Sequence, residues 1–172
     1  MPSLDLRGWA PPSDPASGMY FEPAASPATF DFNAAWWFSY AHRPVTLRDS
    51  TTAKTAFDVI GHQLSSDVVL NVGLFERAAL GVDLPFVVNQ QGDTPTEAAL
   101  DTLGAYALPG TAMGDVAVLG KLTIVKPTLG ELGGFGLAIY ERFTLPTGDE
   151  ASFMGEGAPS STTRLLAEYR YV

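Results

Sequence analysis

The chain has 172 residues and a formal net charge of −9, with ten Lys or Arg residues against nineteen Asp or Glu residues and no cysteine. Its basic residues are scattered, so it lacks the positive patch that phosphate backbones require, and nucleic acid is excluded as a partner. The absence of cysteine excludes disulfides and thiolate metal sites. No apolar run reaches the 18 residues of a membrane-spanning helix, and the length fits one domain.

The N-terminal segment is rich in proline and has no sustained periodicity. Residues 1–29 hold six of the thirteen prolines, which favours an extended arm over a helix or a strand. We expect this arm to pack through Trp9, Tyr20 and Phe21, and we expect residues 30–172 to form a single β-barrel domain.

Six segments after the arm alternate apolar side chains with small or polar ones. Side chains of a β-strand point to opposite faces with a period of two residues, so each segment predicts a strand with one apolar face. The predicted strands lie at residues 30–46, 67–74, 79–89, 115–124, 135–145 and 164–171. Even-numbered residues carry the apolar face of the second and third strands. This parity predicts a hairpin that pairs Leu74 with Leu80 and has Glu76 to Ala78 as its loop.

Two segments carry helical signals. Four residues have helical spacing: Ala53, Ala56, Phe57 and Ile60. Strands of equal length across the hairpin favour instead an extension of the second strand back towards Val59, and we expect the strand. The segment from Thr94 to Glu97 is typical of a capping box with proline at the first helical position, which predicts a short helix from Pro95 to Leu103.

The predicted connections alternate in length. Short ones follow the second and fourth strands, at residues 76–78 and 127–133. Long ones follow the first, third and fifth strands, at residues 47–58, 90–113 and 146–163. Barrels of bacterial outer membranes have short periplasmic turns and longer extracellular loops. The alternation therefore favours an up-and-down antiparallel barrel with both ends of the chain on the periplasmic side.

The alternation alone fits two architectures. In a soluble barrel or sandwich the apolar face points inward, whereas in a membrane barrel it meets lipid and the polar face lines the lumen. The chain is only 17% charged, its polar face is crowded with Gly, Ala and Asn, and aromatic residues lie near the strand ends as interfacial girdles do. Glu141, on the apolar face of the fifth strand, counts against lipid contact. Together these features favour the membrane barrel.

This orientation assigns side chains to the two faces. The predicted lumen-lining residues are Asp67, Asn71, Asp83, Asp115, Lys121, Arg164, Glu168 and Arg170. The predicted lipid-facing or girdle residues are Trp36, Phe38, Tyr40, Phe86, Phe143, Tyr169 and Tyr171.

No motif for catalysis or metal binding accompanies this pattern. His42 and His62 are the only histidines. Ser65, Ser66 and Asp67 lie close to His62 in the sequence, but they form no nucleophile motif. The carboxylates of the predicted loops lack the spacing of a calcium site. We therefore expect no enzyme activity, no cofactor and no metal site.

Several short sequences occur in an order that resembles a known family. The runs are PPSDPASGMYFEPAASPATFDFN, SYAHRPVTLRD, GHQLSSDVVLNVGLFERAALGVDLPFVVNQQGD, MGDVAVLGKLTIV and ELGGFGLAIYERFTLPTGD. Together they are similar to the barrel region of OmpA-family outer-membrane proteins, in its divergent, myxobacterial-like branch, over nearly the whole chain. The resemblance implies a barrel in the outer membrane of a Gram-negative bacterium, inserted by the barrel assembly machinery and in contact with lipid and lipopolysaccharide. It also implies peptidoglycan as a partner in full-length members, through a C-terminal domain that this sequence does not include.

Six strands are too few for a closed bacterial barrel, because such barrels have at least eight strands and an even number. An unpaired strand edge in lipid is not viable. We therefore expect an all-β chain that is a fragment of a larger barrel or a protomer that self-associates to complete one. Its expected function is an envelope-structural role with weak small-solute permeation. The alternatives are a soluble β-barrel or sandwich binding module and an oligomeric assembly of six-stranded protomers.

Overall fold

The computed structural model describes residues 9–14, 21–48, 51–52, 55–93, 108–128 and 133–171. Within them six long strands and one two-residue strand form a single antiparallel sheet. The strands are β1 (Phe32–Arg48), β2 (Thr55–Leu74), β3 (Ala78–Gln91), β4 (Ala112–Met113), β5 (Ala117–Val125), β6 (Gly134–Thr144) and β7 (Ser160–Arg170). Among the described residues the other regular element is a single 3-10 turn at Glu150–Ser152. The prediction of an all-β, antiparallel chain with about six strands is confirmed.

The sheet has the order β1-β2-β3-β5-β6-β7, and β4 pairs with β3 alone. It curls into a half-barrel. Strands β1 and β7 are its edges, because neither has a second partner strand among the described residues. Every neighbouring pair is antiparallel, so β1 and β7 run in opposite directions. The half-barrel therefore ends in two edge strands that could pair with each other, or with strands of other chains, in antiparallel fashion.

The hairpin between β2 and β3 has the predicted parity but not the predicted register. Leu74 pairs with Ala78, and Val72 pairs with Leu80, so the predicted pairing of Leu74 with Leu80 is wrong by two residues. The loop is Phe75 to Arg77 rather than Glu76 to Ala78. Phe75 and Glu76 both have positive φ, and Arg77 N donates to Leu74 O at 3.2 Å. Two left-handed residues make the tight turn whose twist matches that of the flanking strands, and this turn fixes the register.

The expected extension of β2 towards Val59 is confirmed, and the helical alternative for this segment is wrong. Strand β2 begins at Thr55 and pairs with β1 as far as Arg48. Phe57, Val59 and Ile60 are buried in a cluster with Val45, Leu108 and Phe153. Consecutive buried residues indicate that this part of the hairpin is covered on both faces. Apolar residues therefore occur on both parities of the strand, and some of them happen to have helical spacing.

The connections lie at the two ends of the strands. At one end are the β2–β3 turn, at residues 75–77, and the β5–β6 connection, at residues 126–133. At the other end are connections at residues 49–54, 92–116 and 145–159. The first of these has six residues instead of the expected twelve because β1 and β2 extend further than predicted. The predicted helix from Pro95 to Leu103 lies outside the described residues.

The two faces of the sheet differ sharply in burial. On β5 the buried residues are Ala117, Leu119, Lys121 and Thr123, and the exposed ones are Val118, Leu122, Ile124 and Val125, the last of them after a register irregularity. Val69 of β2 packs with Leu119 of β5 and Tyr140 of β6, although β3 lies between β2 and β5. Side chains of separated strands meet only on the concave side of a curled sheet. The buried face, which carries both polar and apolar side chains, is therefore the inner face of the half-barrel, and the exposed apolar face is its outer face.

Candidate functional site

The N-terminal arm enters the inner face beside Gly73, next to the β2–β3 turn. Phe30 N donates to Gly73 O, and Gly73 N donates to Asp31 O, each at 2.9 Å. A Cβ atom on residue 73 would lie 2.0 Å from Ala28 O and 2.7 Å from Pro27 O. Only glycine therefore lets the arm cross the strand this closely.

A buried salt bridge joins the arm to β5. Lys121 Nζ lies 2.9 Å from Glu22 Oε1, and both side chains are almost completely buried. The same carboxylate accepts hydrogen bonds from Ser13 N at 2.5 Å and from Ser13 Oγ at 2.6 Å. A buried charge is stable only when it is paired and hydrogen-bonded. Glu22 meets this requirement with donors from the arm and from the barrel wall.

The arm continues across β5 to β7. Thr123 Oγ1 donates to Ala24 O at 2.7 Å and shares a 2.8 Å hydrogen bond with Ser26 Oγ. Ala24 N donates to Glu168 Oε2 of β7 at 3.2 Å. A Cβ atom on Gly136 of β6 would lie only 3.1 Å from Ala24 Cβ. The small residues of the inner face thus leave the space that the arm occupies.

The first described part of the arm lies against β1 and β2. Residues 11–14 are buried, and Asn71 Nδ2 donates a hydrogen bond to Ser13 O. The Trp9 ring meets the Trp37 ring edge-on, with centroids 6.0 Å apart and an interplanar angle of 77°. The expected packing through Trp9 is confirmed, whereas Phe21 is exposed and Tyr20 lies outside the described residues.

A second buried ion pair lies further along the inner face. Arg142 Nη2 of β6 is 2.6 Å from Asp83 Oδ2 of β3, and the bond passes over β5. Arg164 of β7 lies over the Tyr140 ring at 5.7 Å from its centroid, within cation–π range. These charges pair with groups of the barrel wall, so the inner face is filled by its own polar side chains as well as by the arm.

The end with the longer connections is held by buried polar side chains. Asp115 Oδ1 accepts a hydrogen bond from Gly148 N, and Asp115 Oδ2 accepts one from Glu156 N, both at 2.7 Å. Gln63 Nε2 donates to Gln90 Oε1 at 2.9 Å, and Gln90 Nε2 donates to Pro109 O at 2.8 Å. These bonds fix the connections that follow β3 and β6 against the sheet.

The structure brings together only some of the predicted lumen-lining residues. Asp67, Asn71, Asp83 and Lys121 are buried on the inner face. Asp115 lies before β5, at the end with the longer connections. The other three predicted residues belong to the edge strand: Arg164 and Arg170 are exposed, and Glu168 is half-buried.

Sequence reasoning did not select Glu22, Thr123 or Arg142. Thr123 and Arg142 lie on the polar parity of their strands, and this parity is a signal that could have found them. Glu22 lies in a segment without periodicity. Its pairing with Lys121, 99 residues away, therefore could not be predicted from the local sequence.

The predicted lipid-facing residues that belong to strands lie on the outer face, and Tyr171 follows the end of β7. Six of the seven are exposed: Trp36, Phe38, Tyr40, Phe143, Tyr169 and Tyr171. Phe86 is half-buried, beside Met113 of β4. Glu141, the outlier of this face, accepts hydrogen bonds from Ser161 Oγ and from Thr163 Oγ1 of β7. Two hydroxyl donors reduce the cost of placing this carboxylate among apolar neighbours.

The described part of the chain contains no helix with the length and hydropathy needed to cross a membrane. Within the same residues no three His, Asp or Glu side chains are grouped as metal ligands would be. Comparisons with protein-family models, with curated proteins and with solved structures found no match.

Proposed function

We propose that this chain forms part of the wall of a β-barrel in the outer membrane of a Gram-negative bacterium, where it has an envelope-structural role. The observation that carries the proposal is the inversion of burial between the two faces. Trp36, Leu165 and Tyr169 are 66%, 70% and 62% exposed, whereas Asp67 and Asp83 are 1% and 0% exposed. Such an inversion is typical of a wall that has lipid on one side and a polar lumen on the other.

The exposed apolar surface is continuous across the sheet. The register aligns Ala78, Leu122, Ile139 and Leu165 in one row over four strands, and the last three are exposed. Monomeric soluble proteins rarely expose contiguous apolar patches larger than a few hundred Å². The soluble barrel or sandwich would need this face as its core, and here the core lies on the opposite face. The membrane reading is therefore favoured over the soluble one.

Strand length supports the same assignment. Strands β5 and β6 have nine and eleven residues, and a tilted strand crosses the hydrocarbon core with about 9–11 residues. Strands β1 and β2, with seventeen and twenty residues, project beyond this thickness at the end with the longer connections. In this proposal lipid and lipopolysaccharide contact the outer face, the barrel assembly machinery inserts the chain, and peptidoglycan is reached only through a further domain.

A second candidate is an assembly in which other chains complete the barrel. It rests on the two edges, β1 and β7, which lack partners among the described residues and run in opposite directions. An edge strand in lipid must be paired. A second copy in the same membrane orientation can pair its β1 with β7 of the first copy and keep every pair antiparallel. Native mass measurement in detergent separates a defined multimer from a single chain.

The membrane assignment is tested by refolding the chain into phospholipid vesicles and detergent. We expect the protein to float with the vesicles after alkaline washing and to migrate differently on gels before and after heating, as stable β-barrels do. A chain that stays monodisperse in water without detergent and shows no heat-dependent mobility shift would refute the proposal.

A further inference from the structure

We propose that residues 9–14 and 21–28 form an intramolecular plug that closes the lumen, and that the Glu22–Lys121 salt bridge is its latch. The inference rests on the proposed barrel wall and adds a gate to it: release of the plug opens a path for small polar solutes along the inner face. Four strands of the wall, β1, β2, β5 and β7, contribute contacts to the plug.

The plug is held by polar contacts rather than by strand pairing. Described contacts of Ser13 and of residues 22–26 with the wall are one ion pair and isolated hydrogen bonds that involve a side chain on at least one side. No described residue of the arm before Phe32 belongs to a strand. Prolines at positions 11, 12, 23 and 27 lack the N–H group that a strand ladder requires. A segment attached in this way can leave the inner face without breaking the sheet.

The wall is shaped to receive the plug. Glycine at positions 73 and 136 leaves space that a side chain would fill. Lys121 is the cation on which the fit depends, because its buried ammonium group has the Glu22 carboxylate as its ion partner. Removing the charge of Glu22 leaves that ammonium group in a buried site without its ion partner, with only neutral acceptors such as Pro23 O, 3.4 Å away. Such a site is strongly unfavourable for an ion, so the arm should separate from the wall and let water reach Lys121.

The first test measures access to the inner face in detergent-refolded protein. Ala79 is buried, lies on the inner face and pairs with Lys121, and the chain has no native cysteine. In the Ala79→Cys background, Glu22→Gln should raise the rate of labelling by a water-soluble maleimide roughly tenfold or more. The matched control is Glu76→Gln, which breaks the exposed salt bridge to Lys126 and should leave the rate unchanged. Equal rates for Glu22→Gln and its parent overturn the latch.

The second test compares two redox states of one protein, so an effect of Glu22→Gln on folding is common to both arms. Ser26 Oγ and Thr123 Oγ1 are hydrogen-bonded at 2.8 Å, so the side chains of Ser26→Cys and Thr123→Cys meet, and a disulfide between them is the lock that joins the plug to β5. With Glu22→Gln added, vesicles should leak a small sugar slowly when the lock is oxidised and several-fold faster after reduction. Identical leakage in the two redox states of the same protein overturns the plug.

The two proposals can fail separately. Loss of vesicle flotation and of the heat-dependent mobility shift in the parent chain refutes the barrel wall, whatever the labelling rates are. Retention of both properties, with labelling and leakage that do not respond to the latch or the lock, refutes the plug alone.

Discussion

Leu122 lies near the middle of β5 on the outer face. Substitution by arginine at this position tests whether the outer face contacts lipid or water. The side chain is 53% exposed, and its cross-strand neighbours are Ala78 and Ile139. An arginine facing lipid at the midplane of a β-barrel costs about 2–4 kcal/mol. At 1.36 kcal/mol for each factor of ten, Leu122→Arg should lower the folding equilibrium constant about 30- to 900-fold. An exposed substitution in water changes stability by only about ±0.5 kcal/mol.

The assay is reversible urea unfolding of protein folded in phospholipid vesicles, followed by the fluorescence of the three tryptophans. Phe75→Arg is the matched control, because Phe75 is 82% exposed on the β2–β3 turn, beyond the apolar rows of the strands. The cost of arginine falls to about 0–1 kcal/mol near the membrane interface. If Leu122→Arg and Phe75→Arg have the same unfolding free energy, the outer face does not contact lipid.

Three further predictions concern individual polar contacts. Asp83→Ala leaves the Arg142 guanidinium without its ion partner and should lower the unfolding free energy by about 3–5 kcal/mol, a loss that Asp83→Ala with Arg142→Met should largely reverse in urea titrations. Asp115→Ala removes the acceptor of two backbone N–H groups, and limited proteolysis should then cut the β6–β7 connection faster while the strands stay intact. The hydrogen bond and charge of Lys126 lower the pKa of Glu76, so this pair stabilises the fold above the ordinary carboxyl pKa and loses its effect as the pH falls through the lowered pKa. In an NMR titration Lys126→Gln should move the Glu76 pKa upward, and an unchanged pKa would contradict this assignment.

Period-two alternation predicted the strands and separated the two faces correctly because it is a local property of extended chain. The exposure of Val118 and Leu122 and the burial of Leu119 and Lys121 follow the parity of β5. The register of the β2–β3 hairpin was not predictable from this pattern. It depends on left-handed backbone at Phe75 and Glu76, and neither residue type prefers that conformation.

The candidate site was only partly predictable. Parity placed Asn71 and Lys121 on the more polar face of their strands, but their partners Ser13 and Glu22 lie in a segment without periodicity. The position of Asp115 was mispredicted for a different reason. It shares the polar parity of β5 but precedes the strand, where its carboxylate binds backbone N–H groups of the β6–β7 connection. Parity assigns a face only inside a strand.

The long sequence separations of the arm contacts determine when the arm can fold. Ser13 precedes its partner Asn71 by 58 residues, and Ala24 precedes Thr123 and Glu168 by 99 and 144 residues. Contacts of such high sequence separation form only after the intervening chain is ordered, because the entropy of closing the loop is lost before any contact is gained. We therefore expect the arm to dock late, because its bond to Glu168 needs β7 in place. Substitutions at Glu22 or Ser26 should consequently accelerate unfolding and leave the folding rate of the sheet nearly unchanged.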